Sequence, residues 1–310
     1  MANLLLLCAC FVLGPLLRWS GQFPITTPQV LGGWIIHVAL PATILLQVPG
    51  LALESALALP ALLPWVAFVL SAAIVLLVRD VLKWSRQTAA CVILVAGLGN
   101  TSFVGLPLCA AFLGPESTVA ALVADQLGSF LLLSTAGMLV LAWGAGASVT
   151  LREMVGRIAG FPPFWALLLA IALRWLPAAP ELVSTVLRRL SDTLAPLALF
   201  SVGFQLRVEA LPTRWRDTAF GLALRLVAAP ALATIVALAL GARGVIPAAT
   251  VLELGMPPMI TAGILASDRD LDPELANLLV AVGIPVGFVT LVVWQWCNSL
   301  WAGVPMLPPP

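Results

Sequence analysis

Two clusters of glycine and proline interrupt apolar runs that are long enough to cross a bilayer: Gly99-Asn100-Thr101-Ser102-Phe103-Val104-Gly105-Leu106-Pro107 in the first half of the chain and Gly255-Met256-Pro257-Pro258 in the second. Proline has no backbone N–H and glycine has no preference for helical torsions, so a helix that enters either cluster loses its i→i−4 bonds and unwinds. Inside hydrocarbon the freed N–H and C=O groups need partners, and irregular backbone survives there only around a buried or water-lined cavity. Two such breaks at corresponding places in the two halves are the pattern of a transporter made of inverted repeats, with its substrate site where the broken helices meet.

The rest of the composition agrees with a bilayer as solvent. With 61% hydrophobic residues, 9% charged residues and a mean hydropathy of +1.09, the chain is far from a soluble globule, in which charged residues make up about 25%. A net charge of +1 and the absence of a Lys/Arg run give nothing for a nucleic acid to bind. Cys8, Cys10, Cys91, Cys109 and Cys297 all fall in apolar segments and read as free thiols. Met1-Ala2-Asn3 leads straight into the apolar run Leu4–Leu17 without a basic region or a small-residue cleavage site, so this run is expected to be a retained first helix and not a leader.

Crossing about 30 Å of hydrocarbon takes about 20 helical residues. Ten runs meet this, near 3–18, 29–48, 58–79, 88–113, 117–144, 161–177, 183–206, 216–241, 244–266 and 273–302. If the N-terminus is outside, one set of loops carries Arg18, Arg79, Lys83, Arg86, Arg152, Arg157, Arg207, Arg214, Arg216 and Arg269, and the other only Arg174 and Arg243. That asymmetry puts both termini on the non-cytoplasmic side of a plasma or inner membrane. Five is odd, so a second set of five spans enters from the opposite face, and the chain reads as one transmembrane domain over 1–310, with repeat one at 1–147 and repeat two at 158–305. Ala39-Leu40-Pro41-Ala42 in span two is echoed by Leu194-Ala195-Pro196-Leu197 in span seven, and the breaks fall in spans four and nine.

Asn100-Thr101-x-x-x-Gly105-x-Pro107, Ser191-Asp192 followed by Leu199-Phe200-Ser201-Val202-Gly203-Phe204, Leu224-Arg225-Leu226-Val227-Ala228-Ala229-Pro230, Gly255-Met256-Pro257, Asp272-Pro273-Glu274 and Gly283-Ile284-Pro285 occur in that order over most of the chain. Together they resemble the auxin efflux carrier family, which includes the PIN-type auxin carriers and permeases for malate and malonate. The resemblance implies an all-α integral membrane fold of ten helices in two inverted five-helix repeats, with helices four and nine broken and crossing at the midplane. It also implies a scaffold of spans one, two, six and seven, which often forms a homodimer surface, and a moving bundle of the other six. The long regulatory loop of many plant members is missing, since the connector over 144–160 is short. The substrate does not transfer; bacterial members more often resemble carriers of dicarboxylates or other organic anions.

The candidate substrate-binding residues are Gly99, Asn100, Thr101, Ser102, Gly105 and Pro107 at the first break, Met256, Pro257 and Pro258 at the second, and the deep polar residues Asp125, Gln126, Arg225 and Glu253. Half-helix N-termini point positive partial charge at an anion, the polar side chains supply donors and acceptors, and Gly99 and Gly105 leave room for a ligand. The alternative is that Gly and Pro only kink a packed helix. Arg225 is either a partner of a substrate carboxylate or a structural partner of carbonyls or of an acid. Glu253 is either the carrier of a coupling proton or half of a buried ion pair with Arg225. Asp192, four residues after Arg188, suggests an i,i+4 ion pair, and His37 reads as a hydrogen-bonded packing residue. No phosphate-binding Gly-x-x-x-x-Gly-Lys loop, metal cluster or catalytic constellation is present, so neither an ATP-driven pump nor an enzyme is expected, and no cofactor. Several tryptophans, Trp84 among them, fall near span ends, as in an interfacial belt.

The sequence thus describes a secondary transporter of small organic anions, carboxylates above all, working by alternating access in a lipid bilayer. A sodium- or proton-coupled antiporter of related fold is the alternative, and coupling to a proton or to sodium stays open.

Overall fold

The computed structural model describes residues 2–49, 57–175, 179–205 and 214–307, without the side chains of residues 2–4. Arg207 and Pro308–Pro310 lie outside the described residues. In chain order the helices are α1 (Ala2–Trp19), α2 (Thr27–Gln47), α3 (Ala58–Val78), α4 (Arg86–Gly97), α5 (Thr101–Leu113), α6 (Pro115–Ala145) and α7 (Leu151–Ala159). They continue with α8 (Pro162–Leu173), α9 (Glu181–Ser191), α10 (Leu194–Gln205), α11 (Trp215–Ala239), α12 (Val245–Leu254), α13 (Ile260–Asp268) and α14 (Pro273–Trp301). Among the described residues, α2, α3, α6, α11 and α14 are each long and apolar enough to cross a membrane, and α7 with α8, bent by 67°, makes a sixth if the pair is one span. The protein is a multi-span helical membrane protein. The runs at 88–113 and 244–266 each divide into two short helices, because 98–100 and 255–259 are not helical.

Local chemistry explains the boundaries. Ser85 caps α4 by accepting the Thr88 amide at 3.0 Å, and Asn100 caps α5 by accepting the Phe103 amide at 3.3 Å. Gly114, at φ 89°, turns the chain between α5 and α6 in a conformation that side chains disfavour. Three wide, π-type turns, Ile35–Ala39 in α2, Thr101–Gly105 in α5 and Leu224–Ala228 in α11, each end two residues before a proline, at Pro41, Pro107 and Pro230. A proline ring clashes with the carbonyl four residues earlier, and widening the preceding turn moves that carbonyl aside. Two more wide turns, Ala124–Phe130 and Leu133–Gly137, lie in α6 without a proline.

Packing is reciprocal between the halves. α1 runs along α10, and α8 runs along the Leu40–Gln47 part of α2. The first contact is backbone on backbone: a Cβ on Gly203 would overlap the Phe11 carbonyl, and one on Gly14 would overlap the backbone of Gly203 and Phe204. Around the breaks, α4 shares an apolar cluster with α13 (Val92, Leu94, Ala262), and α5 shares another with α12 (Val104, Leu108, Leu252). The first half of each broken span therefore packs on the second half of the other, so that the two spans cross as an X.

Three expectations change. The run at 183–206 is interrupted at Asp192–Thr193, and no Arg188–Asp192 ion pair forms among the described residues. Trp84 is buried and donates to Asp217 at 2.8 Å, so it is a core residue and not part of an interfacial belt. His37 does hydrogen-bond, to the Gly33 carbonyl at 2.9 Å, but on an exposed face.

Candidate functional site

The two breaks bind each other. The Asn100 amide donates to the Pro257 carbonyl at 2.8 Å and the Met259 amide donates to the Leu98 carbonyl at 2.9 Å, with Gly99 and Pro258 paired antiparallel between them. Each unwound segment thus supplies partners for the other's freed backbone groups, as burial demands. Asn100, Thr101, Met256, Pro257 and Pro258 are buried here, with Gly105 and Pro107 in the following turns of α5 and Ser102 half-buried beside them.

Arg225 lies in the wide turn of α11 and is 4% exposed. Its Nε donates to the Met256 carbonyl at 2.8 Å, Nη2 to the Glu253 carbonyl at 2.9 Å and Nη1 to the Gly97 carbonyl at 3.4 Å. Those carbonyls end α4 and α12, so one guanidinium neutralises the negative ends of both half-helices. Arg225 thus bonds to carbonyls and makes no ion pair with Glu253. The space that Gly99 leaves is used by the same group, because a Cβ there would overlap the guanidinium.

Asp125, from the first wide turn of α6, accepts from the hydroxyls of Thr101 and Ser102, both at 2.5 Å, and from Gln126 Nε2 at 2.7 Å. Its carboxylate thereby sits at the positive N-terminal end of α5 and pins the break to α6. Thr101 and Ser102 already donate to an acid of the protein. Glu253 is different. It is 1% exposed, receives only the Cys109 thiol at 3.4 Å on Oε1, and has no partner for Oε2. Its carboxyl lies against Gly105, where a Cβ would collide with it. Beside the breaks, Asn100 Nδ2, a donor, and Gln126 Oε1, an acceptor, are also buried without a protein partner.

Thr101, Ser129, Arg225, Glu253 and Gly97–Gly99 line a cavity of about 10 Å³, the space of one water molecule. The expected residues therefore do come together at the crossing of the breaks. Besides Ser129, two contributors were not singled out from the sequence: Cys109, one turn beyond Gly105 on α5, and the carbonyl of Gly97. The first has a signal, the i,i+4 spacing from Gly105; the second has none, because any residue carries a carbonyl.

A polar knot lies away from this crossing. Arg214 donates to Asp272 through Nη2 at 2.9 Å and Nη1 at 3.3 Å, and to Asp217 through Nε at 2.8 Å, while Thr88 donates to Asp272 at 2.7 Å. It ties the starts of α4, α11 and α14 together, and Asp272, at φ 56°, also caps α14.

Comparison with known proteins fits this arrangement. The family described as membrane transport protein matches residues 1–295. An uncharacterized transporter of Methanothermobacter thermautotrophicus is 30% identical over 202 residues, 64% of this chain and 65% of that protein. One from Methanocaldococcus jannaschii is 24% identical over 276 residues, 86% of this chain and 89% of the relative. Auxin efflux carrier component 3 of Arabidopsis thaliana is 26% identical over 148 residues, 47% of this chain but only 22% of the plant protein.

Proposed function

Because the chain belongs to the membrane transport protein family, that of the auxin efflux carriers, we propose that this membrane transporter moves small organic anions, carboxylates above all, by alternating access around the crossing of its two broken spans. The observation that carries the proposal is the buried junction itself: two unwound segments paired backbone to backbone, beside a buried Asn100 amide whose Nδ2 has no protein partner. An amide N–H buried without an acceptor costs about 1–3 kcal/mol, and a substrate carboxylate is the chemical complement of that donor and of the half-helix N-termini at α5 and α13. The cavity holds no more than a water molecule, so anion entry requires the crossing helices to part from their surroundings.

In the same proposal, ten spans form two inverted repeats. Support comes from the reciprocal packing of α1 on α10 and α8 on α2, and from breaks at matching positions. Broken spans four and nine are α4 with α5 and α12 with α13, and the homodimeric scaffold implied by the family comprises α1, α2, α8, α9 and α10. The charge distribution supports a plasma or inner membrane location with both termini non-cytoplasmic.

The test is uptake of a panel of labelled mono- and dicarboxylates into proteoliposomes by the wild type and by Asn100→Ala. Loss of binding and uptake in a variant that stays folded and monodisperse is expected. Normal uptake by Asn100→Ala would move the site away from the crossing.

A further inference from the structure

The crossing holds two buried acids that are built differently, and the difference bears on which ion accompanies the anion. Asp125 receives three donors within 2.7 Å and is equipped to be an anion. Glu253 receives one weak thiol donor and keeps an unpartnered oxygen. We propose that Glu253 is a proton-binding site that loads together with the substrate, so that the carrier moves a proton with its anion, and that the Arg225 guanidinium stands where a coupling sodium ion would otherwise bind. This rests on the anion-transport reading above.

Charge balance gives the direction of coupling. The crossing holds one cation, Arg225, and two acids, Asp125 and Glu253, so the guanidinium balances only one of them. An ionised Glu253 beside a substrate carboxylate would then place two uncompensated negative charges around one small cavity, and carboxylates that share a site do not both stay ionised. A proton on Glu253 removes one of those charges and turns its unpartnered oxygen into a donor toward the anion. Each ligand therefore favours the other, which is the requirement for symport.

Sodium is excluded by a different contact. In carriers with broken helices, freed carbonyls and half-helix C-terminal ends hold the coupling cation. Here the carbonyls of Gly97, Glu253 and Met256 already accept from Arg225. The cation is covalently attached to α11 and cannot be exchanged.

Among the described residues, no other ionisable group competes for this role at the crossing. Around Glu253, α5 presents Cys109, α6 presents Asp125 and α11 presents Arg225, while α3 and the second half of α11 carry no ionisable side chain. The other such groups on the neighbouring helices, Glu116, Arg216, Asp217, Glu274 and Cys297, lie toward the ends of α6, α11 and α14.

Two measurements on the full-length protein decide the matter. Infrared spectra of the purified, substrate-free protein report a protonated carboxylic acid by its carbonyl stretch, titrated against pH. The band is expected in the wild type, shifted but present in Glu253→Asp, and lost in Glu253→Gln. A band that survives Glu253→Gln at neutral pH, where exposed carboxylates are ionised, or none in the wild type at that pH, overturns the proposal. In proteoliposomes an inside-alkaline gradient is expected to drive accumulation of a labelled monocarboxylate about tenfold per pH unit for one proton per anion. A sodium gradient should do nothing, and Glu253→Gln should lose the response to pH whatever its absolute rate. Sodium-driven accumulation that persists in Glu253→Gln also overturns the proposal. If the infrared band behaves as stated but the wild type moves no carboxylate, the anion-transport reading fails and the proton site stands.

Discussion

Replacing Arg225 by methionine keeps most of the side-chain volume and removes every donor. The structure gives the consequence. The Met256 and Glu253 carbonyls lose bonds of 2.8 and 2.9 Å, and the Gly97 carbonyl a longer one of 3.4 Å. The Met256 carbonyl is left unpaired, at about 1–3 kcal/mol, while the Glu253 carbonyl keeps the Met256 amide at 3.3 Å and loses a charge-assisted bond of about 1.5–3 kcal/mol, giving about 2.5–6 kcal/mol together. Relief of the buried guanidinium's own desolvation reduces this, and breaking comparable buried charge contacts costs about 3–5 kcal/mol in practice. At about 2–4 °C per kcal/mol for a chain approaching this size, the thermal midpoint should fall by about 6–20 °C. Lysine, with its charge but without the planar fork, should recover part of the loss. Because Arg225 bonds to the Glu253 carbonyl and not to its carboxylate, adding Glu253→Gln to Arg225→Met should restore little. The assay is thermal unfolding of the detergent-solubilised protein, with anion binding measured alongside. Unchanged stability with lost binding would refute the reasoning and make Arg225 a substrate ligand; full recovery in the double variant would make it an ion-pair partner.

Other outcomes follow from the same contacts. Gly203→Ala drives a methyl into the Phe11 carbonyl and should cost about 1–3 kcal/mol by forcing α1 away from α10, read as a lower thermal midpoint. Arg214→Met dissolves the knot at the starts of α4, α11 and α14; with its side chain 28% exposed, the loss should be about 1–2 kcal/mol, and it should shrink at high salt. Cysteines placed singly in the connector over 145–160 of a cysteine-free protein should react only with reagent supplied to the cytoplasmic face. Reaction from outside would reverse the inverted-repeat assignment.

Much of the frame was legible because bilayers punish irregular backbone. Gly99, Gly105, Pro107, Pro257 and Pro258 had to mark breaks, and the breaks had to find partners; that they find each other follows from their matching positions in the two halves. The use of each residue was less legible. Gly99 and Gly105 leave space, but the sequence does not say that Arg225 and Glu253 fill it, since both come from distant helices. The hydroxyls of Thr101 and Ser102 looked available to a ligand and are engaged by Asp125, a contact created by the wide turn in α6, which no proline announces. Trp84 sat where an interfacial belt would place it, yet the packing of α11 buries it against Asp217. The helical turn from Arg188 to Asp192 is intact, with the Asp192 amide bonded to the Arg188 carbonyl at 2.9 Å, but both side chains are exposed to solvent, where such a pair gains little.

The pairing of Leu98–Asn100 with Pro257–Met259 uses main-chain atoms alone, and it works like a rivet through two crossed beams. No side-chain substitution that preserves the backbone path can draw it out. α4 with α5 and α12 with α13 must turn together about that pin, so the hinges of any opening motion belong outside the crossing, in connectors such as the one at Gly114. The same rivet leaves Asn100 Nδ2, Gln126 Oε1 and Glu253 Oε2 without a part in holding the beams together, so a chain of this architecture is able to change what it carries by altering a few side chains while its moving parts stay in register.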